Sequence, residues 1–279
     1  MIIDAHCHIF PPSFLRRKEE IVEGDAAFAS LVTKSHTNFV TVDDLLSQMD
    51  KNGVDRAVVM GIGWSDIEIA TEANDYIIES VNDNKDRLRG FCSVNPNWGE
   101  FAFDEVKRCI KAGLSGIGEL QADFQNFDLR EVADLAPIME LARSDALPVM
   151  VHASEPIGHG DPHKDSTTPE KLYRFIQNFP GNPIICAHWG GGLPFYSLMP
   201  EVKESLKLVY FDCAVSPSLY TPEIFSVATE SVGAGKIFFG SDFPFVDMTR
   251  ALEHVGAVKL VPDVEANLLS NNIMKVLRW

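Results

Sequence analysis

LPVMVHA, residues 147–153, is the stretch whose reading decides the fold. It is an apolar run with one strongly polar residue, His152, near its end. Apolar and polar residues do not alternate, so a strand here is covered on both faces, as in a parallel sheet flanked by helices. Seven other stretches share this grammar: MIIDAHCH (1–8), DRAVVMGI (55–62), RLRGFCSVN (87–95), LSGIGEL (114–120), NPIICAHW (182–189), LKLVYFDCA (206–214) and GKIFFGSDF (235–243).

Helical spacing fills the intervals. Residues 42–52 put Leu45, Leu46 and Met49 on one stripe, and Gly53 follows as a stop. Residues 66–84 repeat the pattern with Ile69, Ala73, Ile77 and Val81. Residues 103–112, 130–146, 169–179 and 221–232 read similarly. Pro169 and Pro222 suit first-turn positions, each preceded by a Thr able to cap. Strand then helix, about eight times over, predicts a distorted (β/α)8 barrel forming a single domain over residues 1–279. A doubly wound open sheet is the alternative, weakened because no G-x-G-x-x-G follows the first strand.

Bulk properties narrow the function. The chain has 279 residues and a formal charge of −16, which repels phosphate backbones and argues against a nucleic-acid partner. Its five cysteines suggest no disulfide framework. The N-terminus lacks a basic region, so it does not read as a signal peptide, and no apolar stretch approaches 18 residues. The expectation is a soluble cytoplasmic protein with a small-molecule substrate, a homodimer being the prior for assembly.

A barrel makes a chemical prediction, because its active face lies at the C-terminal strand ends. The polar residues fall there. His6 and His8 end the first run, Glu119 the fourth, His152 the fifth, His188 the sixth and Asp242 the eighth. Period two puts His6 and His8 on one face and Cys7 on the other. Each residue alone has a bland alternative: a hydrogen-bonded core His, a loop carboxylate, a turn aspartate. Together they are hard to attribute to packing, since each unsatisfied buried polar group costs about 1–3 kcal/mol. Converging imidazoles and carboxylates read as a divalent-cation site.

The ordered set resembles the metal-dependent amidohydrolase superfamily. More narrowly it is similar to the amidohydrolase-related (amidohydrolase 2) branch of TIM-barrel hydrolases, which includes the aminocarboxymuconate-semialdehyde decarboxylase group. The pieces that carry the resemblance are D-A-H-C-H at 4–8, G-I-G-E-L at 116–120, V-H-A-S-E-P at 151–156, C-A-H-W-G-G at 186–191 and F-G-S-D-F-P at 239–244. The resemblance implies that His6 and His8 bind the more buried metal, with His152 a further ligand. It implies that Asp242 both ligates and shuttles a proton. His188 then binds a second metal or polarises the substrate. Glu119 matches the position of a bridging residue in two-metal members, leaving one or two ions open and leaning towards two.

The leading expectation from these residues is hydrolysis. A zinc-like ion lowers the pKa of its bound water to about 7, giving a nucleophile against an amide or lactone carbonyl. Asp242 would take and deliver the proton, and His188 would stabilise charge on the carbonyl oxygen. Zinc is the favoured ion, with Mn, Fe and Co admitted by the same donors. The alternative on the same scaffold is decarboxylation of a small unsaturated acid. A metal-dependent nuclease and a non-catalytic metal-binding protein are weaker readings.

Three loops are expected to shape the substrate site. In residues 9–41, Arg16, Arg17 and Lys18 either meet an anionic substrate or pair with Glu19, Glu20 and Glu23, and Phe10, Phe14 and Phe28 line a pocket or anchor the loop. In residues 153–169, His159 is the chosen substrate contact among His159, His163 and Lys164. In residues 189–199, Trp189 and Phe195, with Tyr196, form an apolar substrate wall or an oligomer contact, the wall being the expectation, and Gly190, Gly191 and Gly192 allow close backbone approach or positive φ.

Overall fold

Eight parallel strands pair in chain order. They are β1 (Ile3–His8), β2 (Arg56–Met60), β3 (Leu88–Cys92), β4 (Gly116–Leu120), β5 (Val149–Val151), β6 (Ile184–Cys186), β7 (Val209–Asp212) and β8 (Ile237–Phe238). The computed structural model describes residues 1–34, 39–158 and 167–279. The last strand returns to the first across a thin seam. There Ala5 N–H donates to Phe239 O at 2.8 Å, Asp242 N–H to His6 O at 3.0 Å and His8 N–H to Phe243 O at 2.7 Å. This is a (β/α)8 barrel, distorted by the two-residue β8.

The long helices stand where periodicity places them. Val42–Asn52 ends at Gly53, whose φ of 67° supplies the left-handed cap. Thr41 at its start forms a full capping box with Asp44. Two expected caps fail: Thr168 makes no side-chain cap bond, and the helix after Pro222 starts only at Ile224. Among the described residues, no helix is long and apolar enough to cross a membrane.

Two strands change parity next to the barrel mouth. β1 pairs Ile3 with Arg56 and Asp4 with Ala57, then Cys7 with Val59, so β1 holds one extra residue. Below the bulge Ile3 and Ala5 pack with Val58, Met60, Phe91 and Phe238. Above it Cys7 joins a different apolar cluster, with Leu45, Met49 and Val59. β4 does the same, pairing Ile117 with Val149 but Leu120 with Val151. Gly118 sits inside that irregularity at φ 135°, and a Cβ on it would lie 2.6 Å from the Met150 carbonyl oxygen. Gly118→Ala is therefore expected to lower unfolding stability by about 2–4 kcal/mol, from backbone strain plus a clash with an immobile backbone atom. Urea denaturation checks it; a loss below 0.5 kcal/mol, roughly the scatter of neutral substitutions, would refute the close approach.

The segment after β1, expected to be a loop over residues 9–41, contains three short helices, Pro12–Arg16, Lys18–Gly24 and Ala26–Lys34. Phe10, Phe14 and Phe28 are fully buried and pack with Phe39 and Trp64, so they anchor the segment. Arg17 pairs with Glu20 and Glu72 at 2.8 Å each.

Candidate metal centre

β1 delivers His6 and His8 into the barrel mouth, both essentially without solvent exposure. Their outer ring nitrogens are taken. His6 Nδ1–H donates to Asp212 Oδ2 at 2.8 Å, and His8 Nδ1–H donates to the Gly61 carbonyl at 3.1 Å. Both partners only accept, so each ring, once neutral, turns an Nε2 lone pair inward. The two Nε2 atoms are 3.0 Å apart. Asp242 Oδ1 lies 3.0 Å from His8 Nε2 and 3.5 Å from His6 Nε2.

Glu119, from β4, closes the cage and divides it. Its Oε2 is 3.8 Å from His6 Nε2 and 4.0 Å from His8 Nε2, and accepts from Gln121 Nε2–H at 3.1 Å. Its Oε1 is 2.8 Å from His152 Nδ1 and 3.4 Å from His188 Nε2. His188 Nδ1–H donates to Ala214 O at 3.3 Å, which points its Nε2 at this group, 3.2 Å from His152 Nδ1. Two sets of ligand atoms result, each within 4.8 Å: His6, His8 and Glu119, and Glu119, His152 and His188. Glu119 belongs to both.

This donor set fits a cation. Lone pairs and carboxylate oxygens that face one another in a buried site need positive charge among them. Burial disfavours protonated His6, yet Asp212, Glu119 and Asp242 outweigh it and lift His6 to about 10. Burial would also raise Glu119, but His152, His188 and His6 hold it well below the usual carboxylate range. A metal ion there would take the place of that proton. Imidazole nitrogen and carboxylate oxygen, with no thiol, suit Mn²⁺, Fe²⁺, Co²⁺ or Zn²⁺.

A cavity of about 320 Å³ opens over the cage. Ile62, Leu31, Phe124, Val215, Leu219 and Phe245 give it apolar walls, while His8, Glu119, His152, His188 and Asp242 form its floor. Among its described lining residues there is no Lys or Arg. His188 and Asp242 both have left-handed backbones, φ 52° and 70°, a conformation costly for residues with a side chain.

Two expected substrate contacts lie elsewhere. From His188 to Gly192 the backbone stays left-handed, with φ between 52° and 92°. That turn sends the Trp189 indole into the core, fully buried against Phe225, where its Nε1–H donates to Ser216 Oγ at 2.9 Å. Phe195 is 38% exposed and lines a side pocket with Glu155 and Tyr220, not the central cavity. His159 lies outside the described residues. Asp212 and Gln121 are site residues that the sequence pattern did not single out. Asp212 ends an apolar run, VYFD, as the histidines do, and that is the one signal that marks it.

The sequence pattern of the amidohydrolase family (Amidohydro_2) matches residues 3–279. The chain belongs to this family. Its relatives include decarboxylases. A gamma-resorcylate decarboxylase of Polaromonas sp. is 25% identical over 67% of this chain and 69% of its own length. A 2-amino-3-carboxymuconate-6-semialdehyde decarboxylase of Dictyostelium discoideum is 22% identical over 87% of this chain and 81% of its own. Among solved structures, a 5-carboxyvanillate decarboxylase of Novosphingobium aromaticivorans superposes with a TM-score of 0.81 at 18% identity, covering 100% of this chain and 96% of that one. That structure contains manganese and 4-hydroxy-3-methoxy-5-nitrobenzoic acid. The curated decarboxylase relatives overturn the hydrolase expectation: amide or lactone hydrolysis gives way to the decarboxylase alternative. The physical reason for the misreading is that one cage of imidazoles and carboxylates serves both reactions.

Proposed function

We propose that this protein is a divalent-metal-dependent decarboxylase of a small aromatic or unsaturated carboxylic acid. The observation that carries the reading is the cavity: apolar walls, about 320 Å³, over an acceptor-rich floor, with no Lys or Arg among the described lining residues. Among the described lining residues, an acid entering it has a cation and imidazoles as the positively charged groups to receive its carboxylate, beside the neutral donors Ser30, Gln121 and Ser154. Decarboxylase relatives support the same reading.

His6, His8 and Asp242 would hold the ion, with Glu119 and His152 beside it. Glu119, His152 and His188 would hold a second ion or remain joined by their own hydrogen bonds. Manganese is the first ion to test because a solved relative contains it, and zinc is the second. A bound divalent ion supplies positive charge that draws in the carboxylate and steadies charge as the bond to carbon weakens. His188 Nε2, on the cavity floor, orients the carboxylate. Asp242, on the same floor, moves a proton to the carbon that bears it. The C–C bond breaks, its electron pair ends in the new C–H bond, and CO₂ departs. Leu31, Ile62, Phe124 and Phe245 keep bulk water from that carbon.

The test is product analysis with Mn²⁺-loaded protein and a panel of hydroxybenzoic and unsaturated acids in ¹⁸O water. Stoichiometric CO₂ and a product one carboxyl shorter are expected. A product that keeps its carboxyl and gains ¹⁸O would overturn the proposal. Elemental analysis of the same sample counts ions per chain.

A further inference from the structure

We propose that Asp212 is a positioning residue that sets His6 as a metal ligand and His188 as its neighbour through one carboxylate. The proposal rests on the metal reading of the cage. Asp212 ends β7 and is fully buried. Its Oδ2 accepts His6 Nδ1–H at 2.8 Å. Its Oδ1 accepts two backbone N–H groups, from His188 at 2.9 Å and Ala214 at 3.0 Å. Three donors converge on it, and turning the carboxylate away would break all three bonds.

Each bond has a separate consequence. Imidazole ligates through a nitrogen without hydrogen, so a ligand at Nε2 needs its hydrogen on Nδ1. Asp212, which only accepts, enforces that tautomer. The bond to His188 N–H pins the residue at the point where its backbone turns left-handed, at φ 52°. Ala214 O then accepts from His188 Nδ1–H at 3.3 Å, so the segment 212–214 grips this residue at backbone and ring. His6 and His188, far apart in sequence, are thereby aligned by one side chain.

Asp212→Asn separates this role from general support of the fold. Asparagine keeps one carbonyl oxygen for the two backbone donors but presents an amide N–H to His6 Nδ1. His6 must then face it with a lone pair, which leaves a hydrogen on Nε2 and removes it as a ligand. Mn²⁺ affinity, measured by calorimetry, is expected to fall about 10- to 100-fold, with cooperative unfolding of the metal-free variant retained. In a His6→Ala background, titrated with millimolar Mn²⁺ to reach its weakened site, the same substitution is expected to change Mn²⁺ affinity less than about twofold, because the effect runs through His6. An equal loss in both backgrounds means a merely structural role and overturns the proposal, as does wild-type affinity in Asp212→Asn. Should that variant not fold, long-range ¹H–¹⁵N spectra of the zinc-loaded wild type decide: Nδ1–H on His6 supports the proposal, and Nε2–H overturns it. A wild type that binds neither ion fails at the metal reading itself. A wild type that binds while Asp212→Asn binds equally well fails only here.

Discussion

Asp242→Asn is expected to keep most of its bound cation and to lose CO₂ release by about 10²- to 10⁴-fold, the range that a positioned proton carrier supplies. The substitution is nearly isosteric. Asn tolerates the left-handed backbone at φ 70° as Asp does, and the Asp242 N–H bond to His6 O at 3.0 Å involves no side-chain atom. The amide carbonyl still offers an oxygen towards His8 Nε2, where Asp242 Oδ1 now sits at 3.0 Å. What the amide lacks is a proton to give. Initial rates of CO₂ release, with elemental analysis on the same sample, check both halves. Activity within tenfold of wild type would remove Asp242 from the proton step.

His8→Ala is expected to abolish metal retention. His8 Nε2 is central to the cage, 3.0 Å from both His6 Nε2 and Asp242 Oδ1. Deleting a direct ligand should weaken binding by more than the roughly 10- to 100-fold typical of outer partners. Stability provides an independent readout. An ion that binds only the folded chain at 100 times its Kd adds about 2.7 kcal/mol. Wild-type protein should therefore melt at a higher temperature on adding Mn²⁺, and His8→Ala should not. Full occupancy after gel filtration, or an undiminished thermal shift, would remove His8 from the ligand set.

The barrel and most of its cage are legible in the amino-acid sequence. Unbroken apolar runs imply strands covered on both faces, and parity alone puts His6 and His8 opposite Cys7. The cage residues stand out because histidine is rare inside apolar runs. Register is harder. The extra residues in β1 and β4 leave no trace in composition, so parity extended back along β1 would put Ile3 and Ala5 outside the barrel, where the structure has them inside. Trp189 is misdirected because a run of left-handed residues sends its side chain away from the mouth. Asp212 looks like an ordinary acid, because its value lies in three donors, two of which, on His6 and His188, come from elsewhere in the chain. The reaction is the least legible part. Cage ligands repeat across chemistries, and the apolar walls of the cavity come from residues scattered over several segments of the chain.

The seam between β1 and residues 239–243 carries a consequence for how the molecule is assembled. His6 and His8 stand on one side of it and Asp242 on the other, so the cation cage straddles the joint where the barrel closes. The ligands come from opposite ends of the chain, and no partial barrel contains them all. A bound ion is thus a clasp across the join, formed only when the last strand has found the first. Metal binding across the seam and closure of the barrel become one event, and an ion held jointly by His6, His8 and Asp242 reports that the last strand has met the first.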